Sequence, residues 1–164
     1  MTYRKTYTPG MALQKARQFC AYQERSHRQV ATKLYDWGLR KQEAEEVIAS
    51  LIADQYLNEE RFALQFAGGK FRMKQWGRVK IAEALKLQQV SPYNIRKALE
   101  GIDEGDYEKT AKKIATKKWS SIRGQGLTNL TRKAKTTAFM LRKGYESAII
   151  RRILEPLARG ESSG

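Results

Sequence analysis

The sequence predicts an all-α protein of three tandem three-helix repeats, helix-turn-helix-like in their second halves, stacked into an elongated, curved array. Three observations carry that expectation. Helix formers dominate, and only three prolines interrupt 164 residues. The segments "VATKLYDWGLRKQEAEEVIASL", "IAEALKLQQVSPYNIRKALEGI" and "TTAFMLRKGYESAIIRRILEPL" can be laid over one another. Within each, apolar residues follow helical spacing, break once and resume it. One such unit buries too little apolar face alone, so neighbours are expected to stack.

Residues 1–10, "MTYRKTYTPG", read as a flexible arm in which Pro9 and Gly10 make the break before the first helix. Repeat one, 11–55, opens on "ALQKARQFCAYQ". Repeat two, 56–103, opens on "YLNEERFALQF": Asn58 is a good N-cap, Glu59 and Glu60 suit the positive helix end, and Phe62 and Phe66 share a face. Repeat three, 104–157, opens on "DYEKTAKKIA" from Asp106, and "SSIRGQGLTN", 120–129, reads as a flexible, glycine-containing loop. Residues 158–164 read as a disordered tail.

The paired helices share a register. With Leu39, Val90 and Tyr145 as anchors, Leu34, Leu85 and Met140 lie five residues earlier. Ala44, Ile95 and Ile150 lie five later, and Ile48, Leu99 and Leu154 nine later. Gly38 and Gly144 precede their anchors, where a helix C-cap favours a left-handed residue. Gln89 fits that place less well, and Ser91-Pro92 compensates as an N-cap followed by proline at the first helical position.

Composition narrows the function. Lysine and arginine number 32 against 17 acidic residues, a net charge of +15 and a pI near 10.0. Such an excess favours polyanionic partners, nucleic acid and anionic headgroups alike. No apolar run approaches the roughly 18 residues of a membrane span. One cysteine, Cys20, permits no internal disulfide, and with no secretory signal in view the chain reads as cytoplasmic. One histidine, His27, leaves no zinc ligand set, and no metal or cofactor is expected. On a shared helix, Cys20 and His27 would stand two turns apart, too far for a nucleophile–base pair. "GGKF" at 68–71 lacks the spacing and hydroxyl of a phosphate loop. The reading is non-enzymatic.

The charge is segregated. Six basic residues and no acidic one lie from Arg61 to Ala82, and eleven and none from Lys109 to Tyr145. Lys109, Lys113 and Lys117 form one helical stripe opposite Tyr107, Ala111, Ile114 and Ala115. Arg123, Arg132, Lys133 and Lys135 extend that stretch. Lys70, Arg72, Lys74, Arg78 and Lys80 surround Phe71 and Trp76, and Trp76 fits either core packing or stacking on bases. Trp37 and Trp119 read as packing residues. These twelve basic residues are the candidate nucleic-acid or filament contacts.

The segments "ADQYLNEERFALQF", 53–66, and "KQWGRVKIAEALKLQQVSPYNIRKAL", 74–99, resemble the RecX family of recombinase regulators. Arg61-Phe62-Ala63 after a short acidic turn, and Trp76-Gly77 before a basic helix, carry the likeness. "SHRQVATKLYDWGL" and "RKGYESAIIRRIL" extend it over roughly 11–157. Departures are Arg78, where the family often has proline, and Gln89, where it often has glycine. The resemblance implies a regulator that binds the RecA recombinase and its filament on single- and double-stranded DNA; nothing in the sequence demands a dimer, so a monomer is expected. It implies damping of strand exchange, ATP turnover and co-protease activity in recombination, repair and the SOS response. A plain DNA- or RNA-binding helical-repeat protein is the alternative. Against sequence-specific reading, the starts "LRKQEAEE", "VSPYNIRK" and "YESAIIRR" differ widely.

Overall fold

Several helices begin where the sequence supplies side-chain caps. The computed structural model describes residues 6–122 and 128–160, and these hold nine α-helices and no strand. They are α1 (Pro9–Tyr22), α2 (His27–Asp36), α3 (Lys41–Ala53), α4 (Glu59–Gly69), α5 (Arg78–Leu87), α6 (Pro92–Glu100), α7 (Glu104–Ser121), α8 (Asn129–Lys143) and α9 (Ser147–Ala158). The Asn58 side-chain carbonyl accepts from the Arg61 N–H at 2.8 Å, Asp103 caps Asp106 at 2.9 Å, and Ser91 caps Asn94 at 3.2 Å. Ser26 and Gln29 form a reciprocal capping box on α2. No helix among the described residues is long and apolar enough to cross a membrane.

Pro9 does not break the chain before α1; it begins the helix. Thr8 caps the Met11 N–H at 3.3 Å, and a proline lacking an N–H costs nothing at the first helical position. The described part of the expected arm is also tied down. The Tyr7 N–H donates to the Trp37 carbonyl at 2.9 Å, and their rings meet edge-on at 5.8 Å.

The three anchors close one repeated turn. Leu39, Val90 and Tyr145 each donate a backbone N–H to Leu34, Leu85 and Met140 respectively, at 3.1 Å in every case. The preceding residues, Gly38, Gln89 and Gly144, donate to Tyr35, Lys86 and Leu141 at 3.0, 2.9 and 3.0 Å. This is the Schellman arrangement, which needs a left-handed residue at its centre. Gly38 and Gly144 supply φ of 90° and 96°, and Gln89 adopts 61° despite its Cβ. The substitution in copy two therefore leaves the turn intact. Leu34, Leu85 and Met140 are fully buried, so the closing bond and its apolar contact coincide.

The chain forms two compact units, Met1–Phe66 with Leu85–Ala98, and Ala67–Ala84 with Leu99–Gly164. They divide the middle repeat between them. In the first unit Ala12, Ala16, Val30, Leu34, Val47, Leu51 and Leu57 form the core of α1–α3. The Ser26 hydroxyl donates to the Gln88 side chain at 2.8 Å, and the Glu59 carboxylate accepts from the Asn94 amide at 2.6 Å. Arg61 pairs with Glu24 and donates to the Gln55 carbonyl at 3.0 Å, while Phe62 and Ala63 are buried. The Arg-Phe-Ala triplet is thus a brace for the start of α4.

In the second unit, Tyr107, Ala111, Ala115, Met140, Tyr145, Ile150 and Leu154 are buried. Here α4 passes into a π-helical turn, Lys70–Lys74, that periodicity does not reveal. It ends at Gln75, left-handed at φ 57°, and sets the Phe71 ring 5.8 Å from that of Tyr107.

Candidate nucleic-acid interface

The basic surface of the second unit is built on α7. Its apolar positions, Tyr107, Ala111, Ile114, Ala115 and Trp119, are buried as the helical spacing requires. Lys109, Lys113 and Lys117 are exposed on the other side. Among the described residues no carboxylate forms an ion pair with any of the three. Unrelieved like charges one turn apart cost about 0.2–0.5 kcal/mol per pair, a cost a polyanion removes.

Two recesses adjoin this stripe. One, of about 290 Å³, lies against Phe71, Arg72, Asp106 and Lys109. The other, of about 380 Å³, is lined by Lys113, Lys117 and Lys118 of α7 and Lys143 of α8, with Ile114 and Phe139 as its apolar part. Gln75 borders both. Its carbonyl accepts from the Tyr145 hydroxyl at 2.9 Å, and the neighbouring Lys74 carbonyl accepts from the Lys143 ammonium at 3.2 Å. Lys118 stands over the Phe139 ring at 5.0 Å.

The remaining candidates divide by environment. Arg72 and Lys74 are exposed in the π-helical turn, and Lys135 is exposed on α8, in line with Phe139 and Lys143 at helical spacing. Lys133 is half-buried. Trp76 is half-buried too, with Lys70 and Lys80 over its ring at 5.0 and 4.6 Å. The chain's own lysines therefore occupy a ring that the sequence assigns either to the core or to stacking on bases. Arg123 lies outside the described residues.

Two candidates are committed inward. Arg78 pairs with Glu146 at 3.0 Å and with Glu104, and its guanidinium stacks 3.8 Å from the Tyr107 ring centroid. Burial opposes its charge, but the hydrogen bonds to both carboxylates and their negative charges together outweigh burial and hold its pKa above the ordinary arginine value. Tyr107 donates to Glu146, and its hydroxyl accepts from the Arg78 N–H at 3.0 Å. Arg132 donates to the Trp119 carbonyl at 2.8 Å with its guanidinium 4.2 Å from that ring. Both arginines braid helices together, a use their open sequence surroundings do not disclose.

Gly77 is a packing residue. Its N–H donates to the Lys143 carbonyl at 2.8 Å, and a Cβ there would overlap the Gly144 carbonyl. Cys20 lies near the end of α1 and His27 opens α2, so the two do not share a helix; α1 ends at Tyr22, and Ser26 caps the start of α2. Burial pushes the Cys20 thiol up, with Arg25 opposing more weakly. Sequence reasoning passed over Gln75, Lys118, Phe139 and Lys143. The row Lys135, Phe139, Lys143 was the available signal.

Three RecX family models match in tandem: the first three-helix domain over 12–51, the second over 58–99 and the third over 106–154. The chain belongs to the RecX family. Among RecX relatives, the Regulatory protein RecX of Clostridium perfringens strain 13 is 29% identical over 133 residues, 79% of this chain and 62% of the relative. That of Chlorobium limicola is 28% identical over 135 residues, 81% of this chain and 82% of the relative. The chain thus spans less than two thirds of the Clostridium relative. The crystal structure of RecX from Lactobacillus salivarius has a TM-score of 0.79 at 19% identity, covering 91% of this chain and 96% of that one. A second regulatory RecX crystal structure gives 0.77 at 20%, covering 90% and 73%. At those identities the two structures establish the RecX fold, all-α with three-helix domains in tandem.

Proposed function

We propose that this chain regulates a RecA recombinase by binding its nucleoprotein filament, and inhibits strand exchange, ATP turnover and co-protease activity. RecX family membership supports the recombinase partner. The observation that carries the mode of action is the lysine face of α7, whose Lys109, Lys113 and Lys117 form no ion pair among the described residues, beside the exposed Arg72 and Lys74. In this reading those residues, with Lys80, Lys133 and Lys135, contact the DNA of the filament by counterion release. Arg78 and Arg132 support them from within. The acting form is a cytoplasmic monomer without catalytic chemistry that serves recombination, repair and the SOS response.

The test is DNA-dependent ATP turnover by the host RecA, titrated with this protein below one copy per protomer, beside a DNA-binding control at the same salt. Inhibition before the DNA is coated supports a filament-directed regulator. Inhibition only at saturation identifies competition for the lattice, and the general DNA- or RNA-binding reading, which the +15 charge also supports, replaces it.

A further inference from the structure

The α7–α8 recess holds more than a phosphate-tracking surface requires. Four lysines line it, Lys113, Lys117, Lys118 and Lys143, and no carboxylate residue among the described ones does. Ile114 and Phe139 give it an apolar part. Its volume of about 380 Å³ falls in the range of small-ligand pockets and leaves room for a ring and a sugar beside a phosphate. Gln75, a neutral amide residue, is also among the lining residues.

Gln75 is held firmly. Its N–H donates to the Phe71 carbonyl at 3.0 Å, and its carbonyl accepts from Tyr145 at 2.9 Å. A non-glycine residue at φ 57° is conformationally costly, and it persists where its surroundings overdetermine it. The result is a fixed backbone from which the Gln75 side chain extends beside an aromatic ring and a set of lysines. An amide can pair with a base edge, a phenyl ring can cover a base face, and ammonium groups can neutralise a phosphate.

We propose that this recess binds one nucleoside phosphate, with the phosphate on Lys113 and Lys117, the base against Phe139, and the Gln75 amide at the base edge. The Lys118 ammonium, which covers the Phe139 ring at 5.0 Å, moves to the phosphate as the base takes its place. This assignment rests on the nucleic-acid part of the proposed function and narrows it to a single nucleotide. The nucleotide is either a splayed unit of single-stranded DNA or a free nucleotide.

The test uses the full chain and calorimetric titration with dTDP, the oligonucleotide (dT)10, tripolyphosphate and a hexaglutamate peptide. Saturable binding of dTDP or (dT)10 is expected, weakened about tenfold by Phe139→Ala while tripolyphosphate binding is unchanged. Gln75→Gly, which suits the left-handed backbone and keeps the fold, is expected to weaken the nucleotide about threefold and leave tripolyphosphate alone. Lys113→Ala with Lys117→Ala weakens both. Binding of (dT)10 without dTDP identifies the polymer as the source, and the reverse identifies the free nucleotide. Tripolyphosphate or hexaglutamate competing as well as dTDP, or nucleotide binding indifferent to both Phe139→Ala and Gln75→Gly, overturns the pocket. Absence of nucleotide binding while RecA ATP turnover is still inhibited overturns the pocket and leaves the regulator reading standing.

Discussion

Gly77 and Gly144 lie backbone against backbone in the second unit. The Gly77 N–H donates to the Lys143 carbonyl at 2.8 Å, the Val79 N–H donates to the Gly144 carbonyl at 2.9 Å, and neither crossing leaves space for a Cβ. The start of α5 is thereby hydrogen-bonded to the α8–α9 turn without any side chain between them. Gly144 meets a second demand, because its φ of 96° forms the Schellman turn.

Gly144→Ala should therefore lose stability twice. The left-handed backbone costs about 1–2 kcal/mol and overpacking against Lys80 about 1–3 kcal/mol. Gly77→Ala carries only the overpacking cost. Gly10→Ala, inside α1 with nothing within 4 Å, should be neutral or stabilising by up to about 1 kcal/mol. Urea unfolding of the three variants checks the order; a Gly144 variant as stable as the Gly10 variant would refute the close approach.

Alkaline stability should depend on two tyrosines. Burial, joined for Tyr107 by its hydrogen bond to Glu146, pushes the pKa of Tyr107 and Tyr145 well above the ordinary 10.0. The folded state then keeps protons that the unfolded state releases. Their stabilising contribution is complete below pH 10.0 and falls as pH rises above it, by up to about 1.4 kcal/mol per pH unit for each group. Unfolding free energies at pH 9 and about pH 11 should converge for Tyr107→Phe relative to the parent. At neutral pH the same substitution should cost about 1–3 kcal/mol, since the Arg78 N–H and Glu146 lose their hydroxyl partner. An equal pH slope in parent and variant would exclude Tyr107 as a source.

The repeat register was legible because one physical requirement recurs. An apolar residue five before the anchor must be buried where the helix closes, and Leu34, Leu85 and Met140 all satisfy it. The caps at Asn58 and Ser91 were legible for the same local reason. What escaped was non-local. Arg78 read as a free cation because its partners Glu104 and Glu146 are 26 and 68 residues away. The π-helical turn has no periodic signature, and it alone brings Gln75 to the recess beside Lys143 and Phe139. The basic stripe was legible on α7 because one helix carries all of it.

Gln89 provides a test of that division. Its turn is formed at φ 61°, so the strain of a side chain in the left-handed region is present without any loss of hydrogen bonds. Gln89→Gly should stabilise the chain by up to about 1 kcal/mol, reduced by the greater freedom of glycine in the unfolded state. A higher urea midpoint with an unchanged slope is the expected result. Destabilisation would mean that the Gln89 side chain contributes more than its backbone strain costs.

The stripe on α7 makes the most direct functional prediction. Lys109→Glu, Lys113→Glu and Lys117→Glu together change only exposed residues with no ion-pair partner among the described residues, so helicity and unfolding midpoint should hold. If the three lysines neutralise duplex phosphates, the dependence of log affinity on log salt should flatten by about 0.9 for each phosphate left without its lysine, near 2.7 in all. Binding at low salt should weaken by at least about tenfold, and inhibition of RecA strand exchange should weaken with it. Because carboxylates repel the lattice, Lys→Gln at the same positions separates missing attraction from added repulsion. A folded triple variant that keeps both its salt slope and its inhibition would remove α7 from the interface and turn attention to Arg72, Lys74 and Lys80.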